Sequence, residues 1–139
     1  MNILIDTNVV LDHALERHPF WEPAEDVMLL ADKGVILHIT ANSIADIYYI
    51  MRKQAGDVEA RDFLKRAFQF YEIIGVTGAD CRAALALPMN DYEDALQAAC
   101  ARRAGCSCLV TRDAHHFAAS PVPAVTPEQF LEEWENPHA

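Results

Sequence analysis

Four aspartates, Asp6, Asp46, Asp94 and Asp113, stand where carboxylates of a folded chain can meet a ligand. Asp6 ends the apolar run Ile3-Leu4-Ile5 and precedes Thr7 and Asn8, after which Val9, Val10 and Leu11 resume an apolar pattern with helical spacing. Asp113 follows a second apolar run in Leu109-Val110-Thr111-Arg112-Asp113. Four carboxylates cannot share a small space uncompensated at neutral pH: they repel, raise one another's pKa, or bind cations. Oxygen-only donors select Mg²⁺ or Mn²⁺ over zinc. Such ions suit phosphodiester hydrolysis, because they lower the pKa of water and steady the attacking and leaving oxygens. Thr7, Asn8 and Thr111 are placed to hold these carboxylates or to orient water. Each acid also has a structural reading. Asp6, Thr7 and Asn8 are all good helix caps, Asp94 complements a helix dipole, and Asp113 can cap a short turn before Phe117. Asp46, among Ile44, Ile47 and Tyr48, is the hardest to explain this way, since aspartate is a poor helix former.

The elements that must position these acids alternate between strand and helix. Ile3–Asp6 reads as a strand and Val9–Arg17 as a helix stopped by Pro19; a second helix starts near Pro23 and ends at Gly34. Val35–Ile39 is the next strand. Thr40 or Asn42 caps a helix carrying Ile44, Ile47, Tyr48 and Met51, with Asp46 on its first or second turn. Gly56 closes that helix and Asp57 opens another. Tyr71–Val76 is a third strand. Thr77 and Asp80 form a capping box, and Asn90 and Glu93 frame a second one that places Asp94 in the first turn of the following helix. Cys106–Thr111 is a fourth strand, and Val122–Val125 reads as a short edge strand, because Pro121 and Pro123 cannot donate within a ladder. Thr126-Pro127-Glu128-Gln129 starts a last helix. Strands separated by helices imply a parallel sheet covered on both faces. In such sheets ligands bind at the carboxyl ends of the strands, where Asp6 and Asp113 fall.

Length and composition set the frame. The 139 residues, 52% of them hydrophobic, fit one domain over residues 1–139. A formal charge of −10, from 21 acids against 11 bases, excludes a uniformly basic nucleic-acid-binding surface. It does not exclude a nuclease, because metal ions bound by clustered acids restore local positive charge. The start Met-Asn-Ile-Leu-Ile-Asp is not a signal peptide, and no apolar run approaches the ~18 residues that span a bilayer. The expected location is cytoplasmic, with no membrane association. The spacing of Cys81, Cys100, Cys106 and Cys108 matches no zinc pattern, so reduced thiols are expected. Of the scarce bases, Arg112 adjoins Asp113 and is open to a phosphate contact or to a surface ion pair. Arg52, Lys53, Arg61, Lys65 and Arg66 gather on two successive helices.

Four segments in order, covering nearly the whole chain, resemble the motifs of the PIN-domain family: Ile5 to Asp12, Thr40 to Tyr49, Asp91 to Ala99, and Leu109 to Phe117. The resemblance implies a three-layer α/β fold with a central parallel sheet of four to five strands, ordered 3-2-1-4-5, between helices. It implies a Mg²⁺- or Mn²⁺-dependent endoribonuclease, with Asp6, Asp94 and Asp113 as metal ligands, Asp46 completing the acidic quartet, and products ending in 5′-phosphate and 3′-hydroxyl. Compact bacterial members of this length are commonly VapC-like toxins, so an RNA substrate, a small antitoxin and a homodimer enter as partners. There are departures. The second motif usually carries glutamate where this chain has the shorter Asp46, and His116 stands where the fourth often has an acid. Asp91 is an extra acid open to an outer-ligand role. The alternative within the family is a non-catalytic PIN domain binding RNA or protein. A phosphoryl-transfer domain with Asp6 as nucleophile needs an acid at Asn8 or a late lysine at a strand end, and the chain supplies neither.

Overall fold

The computed structural model describes residues 1–137. Five strands form one parallel sheet: β1 (Asn2–Ile5), β2 (Ile36–Thr40), β3 (Glu72–Ile74), β4 (Cys108–Val110) and β5 (Ala124–Val125), in spatial order β3-β2-β1-β4-β5. Seven helices connect and cover them: α1 (Thr7–Ala14), α2 (Trp21–Leu29), α3 (Ala41–Ala55), α4 (Asp57–Phe70), α5 (Gly78–Ala86), α6 (Tyr92–Arg103) and α7 (Pro127–Glu135).

β1 is central because its side chains suit burial on both faces. Ile3 and Ile5 pack into the cluster built by α1, α2, α3, α4 and α7, while Leu4, pointing the other way, packs against α5 and α6. Ile3 sits opposite Leu37 on one side and Cys108 on the other. The chain first runs outward from β1 through β2 to β3, then returns to build β4 and β5 on the opposite side. The crevice between β1 and β4 is therefore a topological switch point, the position where open α/β sheets bind ligands.

Local chemistry sets the helix boundaries. α5 and α7 begin with full capping boxes, Thr77 with Asp80 and Thr126 with Gln129. The box expected from Asn90 and Glu93 is not formed. The cap of α6 is Asp91, whose carboxylate accepts the Asp94 N–H at 2.9 Å; the closer acid outcompetes the asparagine for the first free N–H. At α3 the cap position is Thr40, but its hydroxyl bonds the Ser43 hydroxyl instead of a backbone N–H. The first helix ends at Ala14, earlier than expected, and the second starts at Trp21, with Leu30–Lys33 continuing it as a 3-10 turn. β3, β4 and β5 are shorter than their apolar runs suggest: Tyr71, Val76, Cys106 and Val122 lie outside them. Gly56, at φ 92° and ψ 167°, joins α3 to α4 in a conformation open essentially to glycine alone.

α6 matters most for the site. Its residues Ala95 to Ala101 are all buried, so this helix is enclosed on nearly every side. Four of those seven are alanine, which lets its backbone lie close to Leu4 and Leu109. Asp80 of α5, 3% exposed, accepts from Arg103 Nε at 2.8 Å, and this bond with the capping contacts to Thr77 holds its carboxyl well below the ordinary range. The pair ties α5 to the far end of α6. All four cysteines are free, Cys100 and Cys106 buried and the others half-buried. No helix among the described residues is long and apolar enough to cross a membrane.

Candidate active site

Asp6, Asp46, Asp94 and Asp113 all line one open cleft of about 500 Å³ at the carboxyl edge of the sheet, a volume in the range of small-molecule sites. Asp6 forms its floor and is 7% exposed. Its backbone N–H donates to Val110 O at 2.9 Å, extending the β1–β4 ladder by one residue and fixing where the side chain starts. Three donors then fix where it ends. The Thr7 N–H and Gln97 Nε2 each reach Oδ1 at 2.8 Å, and Thr111 Oγ1 reaches Oδ2 at 2.7 Å.

Thr111 joins two acids. Its hydroxyl donates to Asp6 and accepts the Asp113 N–H at 3.1 Å. From the other side Asn8 Nδ2 donates to Asp113 Oδ2 at 3.2 Å. Asn8 and Thr111 thus do hold carboxylates; Thr7 also does so, through its backbone N–H, with no such contact from its hydroxyl. Asp91 caps α6 through Oδ1 and lies outside the cleft lining, though its charge acts on Asp94.

Asp94 enters from the first turn of α6. Burial pushes its carboxyl up to about 6, with Asp91, Asp6 and Asp113 adding repulsion and His116 opposing them. Glu93, its neighbour, is raised chiefly by the charge of Asp46 across the cleft. Glu93 and Gln97 both line the cleft and are residues that motif reading passed over. The signal for Gln97 was present: three positions after Asp94, it shares that residue's helix face.

Of its two open readings, Arg112 takes the ion pair, with a buried rather than a surface partner. Its guanidinium does not line the cleft. Nε lies 2.8 Å from Asp12 Oδ2, and the group stacks over the Phe20 ring at 4.2 Å. Asp12 is 1% exposed, so a buried anion draws the adjacent cation inward, away from any phosphate in the cleft. The guanidinium that lines the cleft belongs to Arg17.

The donor set suits a hard divalent cation. Every acid offers oxygen, and the charge of neighbouring acids adds to the upward push on Glu93 and Asp94. Two further oxygens, Gln97 Oε1 and Asn8 Oδ1, are buried without a hydrogen-bond partner. The orientation of Gln97 follows from Asp6, an acceptor that Nε2 must face. Among the described residues no three acids, histidines or cysteines stand together as a group that could hold a metal ion.

Burial of Asp94, with repulsion from its neighbours added, should be visible as a pH effect on stability. The folded carboxyl of Asp94 titrates near 6 and the ordinary value is 3.8. Between those values the folded state holds more protons than the unfolded one, so stability falls as pH rises from about 4 to about 6. Allowing for solvent screening, the loss is about 1–2 kcal/mol. Metal-free melting curves across that range should show it in the wild type and lose it in Asp94→Asn, and Mn²⁺ at pH 7 should restore the melting temperature. Parallel curves for the two proteins would mark Asp94 as an ordinary solvated acid.

A parallel sheet in this strand order, with acids gathered at the β1–β4 switch point, defines a PIN-type α/β fold. The chain belongs to the PIN domain family, whose sequence pattern matches residues 2–115. It is similar to ribonuclease VapC1 of Aquifex aeolicus (strain VF5), 29% identical over 140 residues that cover 95% of this chain and 94% of that one. Among solved structures it shares its fold with VapBC from Salmonella typhimurium bound to DNA, at TM-score 0.72 and 14% identity. A second is VapBC2 from Rickettsia felis bound to a promoter DNA fragment, at TM-score 0.71 and 18% identity. In both, the match covers 91% of this chain and 98% of the other.

Proposed function

We propose that this protein is an endoribonuclease dependent on Mg²⁺ or Mn²⁺, and that it is the toxin of a toxin–antitoxin pair acting in the cytoplasm. The observation that carries the nuclease reading is the convergence of Asp6, Asp46, Asp94 and Asp113 on one cleft at the switch point. Membership of the PIN family and similarity to a protein named as a ribonuclease support it.

In this reading Asp6, Asp94 and Asp113 hold the cation and Asp46 completes the set. When bound, a divalent cation supplies Lewis-acid polarisation of the attacking water and of the phosphate. The chain's own groups do the positioning. Thr111, Gln97 and the Thr7 N–H hold Asp6 in one orientation, and Asn8 holds Asp113. Gln97 Oε1, buried and unpartnered, is placed to accept a hydrogen bond from water at the cleft floor.

The partner reading rests on the structural relatives, which are complexes of the VapBC type. Tyr49, 63% exposed, lines both the cleft and an adjoining groove with Ile50, Arg52 and Lys53. In this reading the apolar helix of an antitoxin lies along this groove beside Tyr49 and Ile50. Tyr48, its neighbour, is turned toward α4, where its hydroxyl donates to Asp57.

Cleavage of a mixed single-stranded RNA pool tests the reading. The wild type should cut in Mn²⁺ or Mg²⁺ and stop in EDTA. Asp46→Ala should lower the rate by about 10–100-fold, the usual cost of losing a supporting metal-site group, while Asp46→Glu should keep or raise it. An alanine variant as active as wild type would reduce Asp46 to a helix-surface residue. Growth arrest on expression alone, relieved by a copurifying small partner, tests the toxin assignment.

A further inference from the structure

We propose that Arg17 is the substrate-phosphate clamp of this cleft, held in reserve by the buried carboxylate of Asp12. The inference rests on the nuclease reading above and names the side chain that would grip the RNA backbone.

Asp12 lies on α1 with its side chain 1% exposed and is approached by two guanidinium groups of unequal hold. Arg112 stands closer, with Nε at 2.8 Å from Oδ2 in an ion pair that falls short of hydrogen-bond geometry, and its guanidinium over Phe20. Arg17 stands farther off. Its Nη1 stands 3.8 Å from Oδ1, beyond hydrogen-bond reach, and that oxygen is buried with no hydrogen-bond partner. Arg17 is therefore attracted to Asp12 without being bonded to it, and its N–H donors remain available.

Its backbone, by contrast, is fixed. The Arg17 N–H donates to Asp12 O at 3.0 Å and its carbonyl accepts from the Trp21 N–H at 2.7 Å. A fixed backbone thus places the Arg17 side chain between Asp12 and the cleft it lines. Among the described residues lining the cleft, Arg17 supplies the one guanidinium, in a wall that also carries Asp6, Asp46, Glu93, Asp94 and Asp113. An RNA phosphate entering an acidic cleft needs a cationic partner beside the metal, and a guanidinium can grip a phosphate through two parallel N–H···O bonds.

The test uses the full chain, a labelled mixed-sequence single-stranded RNA pool in Ca²⁺ for binding by anisotropy, and the same pool in Mn²⁺ for cleavage. Arg17→Met should weaken binding about tenfold. It should also flatten the dependence of log affinity on log salt by ~0.7, the share of one phosphate contact on a single strand. Arg17→Lys should restore part of the affinity, and calorimetric Mn²⁺ affinity should match wild type in both. RNA affinity and salt slope unchanged in Arg17→Met would overturn the inference while leaving the nuclease reading intact. Wild-type binding without cleavage would overturn the nuclease reading alone. A wild type that neither binds nor cleaves would overturn both.

Discussion

Asp6→Asn should abolish Mn²⁺ binding and RNA cleavage together while leaving the metal-free fold as stable as before, or more so. The substitution keeps the side chain's shape. Asparagine Oδ1 still accepts from the Thr7 N–H and Gln97 Nε2, and its amide nitrogen takes the place of the oxygen facing Thr111, whose hydroxyl can turn to accept. One negative charge leaves a nearly buried position, and one source of repulsion on Asp94 goes with it. Burying an amide costs less than burying a carboxylate. Metal affinity should fall by more than the ~10–100-fold that follows loss of an outer partner, because the ligand itself is removed. Calorimetric titration with Mn²⁺, a cleavage assay and a metal-free melting curve check all three parts. Equal Mn²⁺ binding by the two proteins would remove Asp6 from the site, and a large drop in melting temperature would make it a structural acid.

Asp12→Ala should be among the most destabilising single changes outside the apolar core. It leaves the Arg112 guanidinium packed beneath α1 with no anion, still tied by its backbone to the loop that carries Asp113. Breaking a buried ion pair from one side costs ~3–5 kcal/mol. Arg112 retains 30% exposure and can recover some water, so the expected loss is about 3 kcal/mol, near the lower end of that range. For a chain of this length that is a fall in melting temperature of roughly 10 °C. Asp12→Asn, which keeps an oxygen facing Arg112, should lose less. Urea denaturation gives the number directly. A loss below about 0.5 kcal/mol, the size of an ordinary surface change, would show that the cation stack over Phe20 holds Arg112 without Asp12.

Much of this fold was legible because its signals are local. The apolar run ending at Asp6 reads as a buried strand, and the Thr77 and Thr126 boxes read as helix starts because each is complete within four residues. The strand order followed from the family resemblance and matches the observed sheet. All four aspartates line one cleft because each sits at a strand end or early in a helix, and sequence position fixes which end of the sheet such a residue occupies. What escaped was set by contacts distant along the chain. Arg112 was open to a phosphate or to a surface ion pair, and only the fold brings buried Asp12 against it from 100 positions away. Gln97 looked like one more residue of an alanine-rich helix until Asp6, on another element, gave its amide a partner. Asn90 and Asp91 were competing caps one residue apart, a difference smaller than pattern reading resolves.

The position of Asp6 at the end of the central strand also governs how activity can be switched. Proteins open in pieces, and the pieces that open most readily are edges, loops and termini, whereas a fully buried inner strand opens only when the whole molecule does. β1 is hydrogen-bonded on both sides, and Ile3, Leu4 and Ile5 are each no more than 1% exposed. Its amide protons should be among the slowest in the chain to exchange with deuterium. Breathing of the native state therefore does not disassemble the floor of the cleft, and short of global unfolding this acid remains in register. A cell that needs the activity silenced gains little from loosening such a scaffold; it must cover the entrance.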